Sequence, residues 1–181
     1  MAADGPATDI VRTYITQEVQ DRASADLKTF RARTGSGEVL FTGAELVNER
    51  GEIRSDYFIG DDLIIQLHIE TRVDVGSLCI SVTLMTDDGI RIANMVDHDS
   101  GFTLGTESTG STLRVTMKDI RLYPGRYIIG FGLSNPAGTL VYDYIEECLV
   151  FNIQPGGNRI QRSLPRTSGL ILLTPSWELV R

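Results

Sequence analysis

Leu122-Tyr123-Pro124-Gly125-Arg126-Tyr127-Ile128-Ile129-Gly130-Phe131-Gly132-Leu133-Ser134 is the stretch whose reading decides the fold. A Pro-Gly turn feeds an alternating segment. Tyr127, Ile129, Phe131 and Leu133 fall on one face, and Ile128, Gly130, Gly132 and Ser134 on the other. Apolar residues at period two mark a strand with one face in a core. The second face is nearly bare. Glycine inside a strand marks a bulge, a tight backbone contact, or a place where a ligand lies close. The phrase therefore predicts a β-sandwich and suggests a flat surface on one of its sheets.

The same period runs outward in both directions. Residues 38–48 read as a strand closed by Glu49-Arg50-Gly51. In 63–71, Leu63, Ile65, Leu67 and Ile69 face inward, and Gln66, His68 and Glu70 face outward. In 78–86, Leu78, Ile80, Val82 and Leu84 face inward, and Cys79, Ser81, Thr83 and Met85 outward. Asp87-Asp88-Gly89 is a hairpin signal, because glycine supplies the positive φ of a tight turn. Residues 90–96 return as its partner. A polar loop over 97–110 follows, then a strand carrying Leu113, Val115 and Met117. After the central phrase come the turn Asn135-Pro136-Ala137-Gly138 and a last strand over 147–153. Short strands with turn signals every ~8–12 residues are the pattern of an antiparallel sandwich. The one tryptophan, Trp177, is far from its place in an antibody-type domain.

The ends read differently. Residues 8–30 predict a short helix, with Thr8 or Asp9 as N-cap and an apolar stripe of Ile10, Val11, Tyr14, Ile15 and Val19. Residues 21–28 are more polar and fray or turn. Residues 154–168, with Pro155-Gly156-Gly157-Asn158, read as a linker. The segment 169–179 that follows is apolar and predicts a C-terminal strand. Such a strand pairs with a sheet edge, its own or another subunit's.

Composition narrows the function. The chain has 181 residues and a net charge of −7, which argues against nucleic acid and anionic lipid as partners. No apolar run approaches the roughly 20 residues of a membrane span, so no direct membrane insertion is expected. Two cysteines, Cys79 and Cys148, make no disulfide framework and fit a reduced, cytoplasmic setting. There is no phosphate-binding loop, no Gly-x-Ser-x-Gly elbow and no His-Glu-x-x-His motif, so no catalytic residue and no cofactor are expected. Asp97-His98-Asp99 carries mixed metal-binding donors but reads as a solvated loop, and no metal site is assigned to it.

The order of phrases carries a resemblance. Phe58-x-Gly60-Asp61-x-Leu63, Met85-Thr86-Asp87-Asp88-Gly89, Leu122-x-Pro124-Gly125-x-Tyr127, Tyr142-Asp143-Tyr144 before Phe151-Asn152-Ile153, and Pro175-x-Trp177-Glu178 follow one another over residues 37–181. This resembles the C-terminal carbohydrate-binding domain of Wzt-type proteins, the ATP-binding subunits of O-antigen polysaccharide ABC exporters. The resemblance implies an all-β, immunoglobulin-like antiparallel β-sandwich over 37–154. It also implies a helical linker from a preceding ATPase domain over 1–36, a linker over 155–168, and a C-terminal strand over 169–181 exchanged in a homodimer. Leu170, Leu172 and Trp177 are the expected exchange residues. The implied function is non-catalytic binding of the non-reducing end of an O-antigen polysaccharide, which is thereby selected for export. The parent protein would be an ATPase held by the exporter's membrane-spanning subunit at the cytoplasmic face of the inner membrane. The alternative is a structural dimerisation or docking module that touches no glycan.

A sugar needs a shallow polar surface with hydrogen-bonding groups and an aromatic face. The outward face holding Ser81, Thr83, Gly130, Gly132 and Ser134, extended along the hairpin strand by Arg91, Ala93 and Met95, is the candidate, with Arg91 and Asn94 bonding sugar hydroxyls or a charged cap. The glycines would leave room for a ring, and Tyr142 and Tyr144 would stack at the rim.

Overall fold

Residues 125–134 form the middle strand of the larger of two sheets. The structure, a computed structural model, describes residues 22–105, 110, 112–156, 162 and 164–180. In chain order the strands are β1 (Ser24–Asp26), β2 (Val39–Val47), β3 (Asp56–Tyr57), β4 (Leu63–Thr71), β5 (Ser77–Thr86), β6 (Arg91–Val96), β7 (Leu104–Gly105), β8 (Thr112–Met117), β9 (Gly125–Ser134) and β10 (Val141–Ile153). One sheet runs β1-β2-β4-β8. The other runs β3-β10-β9-β5-β6, with β7 pairing the start of β5. All pairings between these strands are antiparallel except β3 with β10.

The inward faces are those the alternation assigns. Leu63, Ile65, Leu67 and Ile69 of β4 meet Leu78, Ile80, Val82 and Leu84 of β5 and Tyr127, Ile129, Phe131 and Leu133 of β9 in one continuous core. Burying such side chains is the main stabilising term of the fold. Phe41 and Phe131 join the two sheets at a ring separation of 5.6 Å, and Phe151 stacks on Tyr127 at 5.5 Å. The Tyr127 hydroxyl donates to the Tyr123 carbonyl at 2.6 Å. This bond back across the Pro-Gly turn is the tyrosine corner of immunoglobulin-like sandwiches, and it satisfies a phenol that burial would otherwise penalise.

A buried ion pair ties the sheets together at the chain's entry. Asp143 of β10 has a side chain 1% exposed. Its two oxygens accept from Arg33 Nε, at 2.9 Å, and Arg33 Nη2, and one of them also accepts from the Phe41 amide of β2 at 2.9 Å. Arg33 also donates to the carbonyls of Leu27 and Phe41 at 2.7 and 3.0 Å. One carboxylate thus fixes the loop before β2, β2 itself and β10.

Several expectations are corrected. The helix expected over residues 8–30 falls mostly outside the described residues, but from residue 22 the chain is not helical. Ser24–Asp26 instead adds a strand to the edge of β2, which would otherwise carry unpaired amides and carbonyls. Sandwich structure therefore begins before residue 37. The last strand starts at Val141 rather than near residue 147, because its polar residues are accommodated: Asp143 by Arg33, and Glu146 and Glu147 by a bulge that turns them outward. Asp97–Ser100 forms a 3-10 turn, and Leu104–Gly105 pairs with β5 within the expected loop. The 155–168 segment is tied to the sandwich: Leu164 is buried in the core, and Arg166 bonds Asp87 of the β5–β6 turn at 2.7 Å.

The C-terminal segment is not a regular strand. Ile171 bridges Leu122, with Tyr123 N donating to Leu170 O at 2.9 Å and Leu172 N to Arg121 O at 2.7 Å. Leu172 is buried, while Leu173, Trp177, Leu179 and Val180 are 78–91% exposed. Only the first residues of the apolar tail find an edge on this chain.

Candidate functional site

Register across the larger sheet lines up the outward residues. Asn94, Thr83 and Gly130 are neighbours on β6, β5 and β9, and Ser81, Gly132 and Tyr144 on β5, β9 and β10. Six of the nine expected sugar-contact residues (Ser81, Thr83, Asn94, Gly130, Gly132 and Tyr144) therefore share one patch. Arg91 joins them from the start of β6, and Ser134 lies at the opposite end, paired with Cys79.

The glycines do not form an open floor. A Cβ on Gly130 would sit 2.2 Å from the Glu146 carbonyl oxygen and 2.8 Å from that of Ile145. The backbone of the β10 bulge lies directly over Gly130, so the residue admits the bulge rather than a ligand. A Cβ on Gly132 would meet Ser81 Oγ at 2.6 Å and the Tyr144 ring at 3.5 Å. Gly132 is a seat for these two side chains. Beyond them, Met85, Ile128 and Val150 form a small buried apolar cluster on the same outer face.

Tyr142 is not at the rim. Its side chain is 3% exposed and belongs to the core, because a register shift between Val141 and Asp143 reverses the parity expected of Tyr142-Asp143-Tyr144. Tyr144 does reach the surface, half-buried over Gly132. Arg91 Nη2 donates to its hydroxyl at 3.1 Å and to Glu146 Oε1 at 3.0 Å. Glu146, which sequence reasoning missed, is delivered by the bulge, and its only sequence signal is the Glu146-Glu147 pair interrupting an apolar strand. Thr83 Oγ1 donates to Asn94 Oδ1 at 3.0 Å, which orients that exposed amide.

The patch thus presents an aromatic ring, a guanidinium, a carboxylate and a primary amide side by side. Together they can pack against C–H faces and both donate to and accept from hydroxyl groups. The smaller sheet carries two shallow hollows of about 410 and 440 Å³, around Lys28, Glu45 and His68 and around Asn48, Arg54 and Asp61. No Phe, Tyr or Trp is among the described residues lining either.

The cysteines are not activated. Burial, and next the charge of Asp97, push the Cys79 thiol above its ordinary range, and burial pushes Cys148 up to about 12. A nucleophilic cysteine needs the opposite shift. Among the described residues, no helix is long and apolar enough to cross a membrane.

These features define a class: a two-sheet antiparallel sandwich, closed by a tyrosine corner, with a polar, aromatic-bearing patch on one outer face. The family model of the Wzt C-terminal domain matches residues 31–171, and the chain belongs to that family. The match extends past the 37–154 boundaries on both sides, as the β1 and Leu164 contacts do. The crystal structure of the C-terminal domain of Wzt has the same fold, with a TM-score of 0.68 at 14% identity over 86% of this chain and 96% of that one. None of the curated proteins matches this chain.

Proposed function

We propose that this domain is a non-catalytic module that binds the non-reducing end of an O-antigen polysaccharide and selects it for export by the ABC transporter whose ATP-binding subunit carries it. Family membership supports the transporter setting, at the cytoplasmic face of the inner membrane through the parent protein and its membrane-spanning partner. The observation that carries the binding site is the Arg91–Tyr144–Glu146 cluster beside Asn94: a ring seated on Gly132 with charged donors and acceptors around it. Exposed polar groups of this kind cost little to desolvate against a hydroxylated ligand that replaces their hydrogen bonds.

Titration of the domain with the O-polysaccharide of its own source strain, followed by calorimetry and NMR, should give binding that polysaccharide of another serotype lacks. Arg91→Ala and Tyr144→Ala should each weaken it by about tenfold or more, equivalent to about 1.4 kcal/mol. Wild-type affinity in both variants would remove the site from this face. Absence of binding to either polysaccharide would favour a purely structural module.

A second role rests on the tail. Leu173, Trp177, Leu179 and Val180 lie in solvent beyond a docked Leu172, which suits a segment that covers an edge of a second copy. In this reading Trp177 covers the second copy, and a full exchange in the homodimer would also move Leu170 and Leu172 from their own Arg121–Tyr123 edge to the partner's. Deletion of residues 168–181 should convert a dimer to monomer or aggregate in light scattering, and an unchanged soluble dimer would refute the exchange.

A further inference from the structure

The pairing of β5 with β6 brings Cys79 to Asp97 and His98, two adjacent residues of the turn that follows β6. Ser81 faces Val96, so two residues further along the ladder Cys79 comes beside the 3-10 turn that begins at Asp97. One donor atom each from Cys79, Asp97 and His98 lies within 4.8 Å of the other two. Asp97 has a side chain only 7% exposed. Its Oδ1 accepts from the His98 amide at 2.8 Å and lies 2.6 Å from His98 Nδ1, which holds the ring beside the carboxylate. Its Oδ2 is buried without a geometrically well-placed donor among the described residues, although the Cys79 thiol hydrogen-bonds to the same carboxylate. A buried carboxylate oxygen without a well-placed donor is costly, and a bound cation is one way to satisfy it.

We infer that Cys79, Asp97 and His98 form a binding site for a borderline-soft divalent cation, best fitted by Zn²⁺, at the Ser134 end of the larger sheet's outer face. The donor set decides the class: one sulfur, one imidazole nitrogen and one carboxylate oxygen suit Zn²⁺, whereas Mg²⁺ and Ca²⁺ prefer oxygen alone. Bonds of about 2.0–2.3 Å in a tetrahedral site put ligand atoms roughly 3.5 Å apart, so the site closes by a small inward movement. His98, whose side chain is 39% exposed on a short turn, has room to make it by giving up its contact with Asp97 Oδ1. The Cys79 thiol binds as thiolate and releases its proton to solvent on loading. Three protein donors leave the fourth position to water or another oxygen ligand. The bound ion would pin the 3-10 turn to β5.

The test is titration of the metal-free 181-residue protein with Co²⁺ under reducing, anaerobic conditions. One equivalent should raise a thiolate-to-cobalt charge-transfer band that Zn²⁺ then displaces. Cys79→Ser should abolish the band, with folding checked by circular dichroism. His98→Ala, at an exposed position, should weaken Zn²⁺ binding by about tenfold or more while leaving the fold intact. No band, a band that persists in Cys79→Ser, or unchanged Zn²⁺ affinity in His98→Ala would overturn the assignment.

Discussion

Asp143→Ala is expected to destabilise the domain by about 3–5 kcal/mol, measured as a shift of the urea unfolding midpoint at unchanged slope. The carboxylate is 1% exposed and is the shared acceptor for Arg33 and the Phe41 amide. Its removal leaves a guanidinium, 16% exposed, facing a site that water does not reach freely. The loss comes from that uncompensated charge and from a buried amide without an acceptor, more than from a net gain the pair makes when intact. A double-mutant cycle with Arg33→Ala separates the two. If the residues act as a unit, the double variant costs clearly less than the two single losses added together. Strict additivity, or a single-variant loss under about 1 kcal/mol, would show that the joint between the sheets lies elsewhere.

Tyr142→Ala is expected to cost about 3–5 kcal/mol, the range for truncating a large buried aromatic side chain. Its neighbour two residues on gives the contrast. Tyr144 lies half-buried on the outer surface, so Tyr144→Ala should cost about 1 kcal/mol in stability and register mainly in ligand affinity. The same chemical change two positions apart thus reads out once as folding and once as binding. Equal small losses in both variants would contradict the placement of Tyr142 in the core.

These two residues also mark where a reading of the chain stops. Tyr142-Asp143-Tyr144 alternates, and simple parity puts both tyrosines on one face with the aspartate on the other. The irregularity in pairing between Val141 and Asp143 breaks that parity. Nothing local announces it, because the condition for burying Asp143 is Arg33, which lies 110 residues away in sequence. Gly130 and Gly132 were legible as positions of close approach. What approaches them, the β10 bulge and the Ser81 and Tyr144 side chains, was not. Arg91 and Asn94 are three residues apart, and parity alone groups Arg91 with Ala93 and Met95; the irregularity in pairing between Leu84 and Met85 instead brings Arg91 and Asn94 to the outer face, while Ala93 and Met95 pack against the core. Glu146 likewise reaches that face only through the bulge.

The sequence by itself determined the architecture. Apolar residues at period two in 63–71, 78–86 and 125–134, broken by Asp-Asp-Gly and Pro-Gly turns, leave few ways to bury one face of each strand, and two packed antiparallel sheets are the economical one. It also carried enough ordered motifs to point to the family. The tertiary structure alone decided which polar groups are buried together and which stand in solvent. Asp143 meeting Arg33, Cys79 meeting Asp97 and His98, and Arg91 meeting Tyr144 and Glu146 all depend on strand pairing, bulges and register. A single-residue shift in any of these moves a side chain to the opposite face. Periodicity is local and survives in the sequence, whereas register is a property of two segments at once and exists only when they are paired.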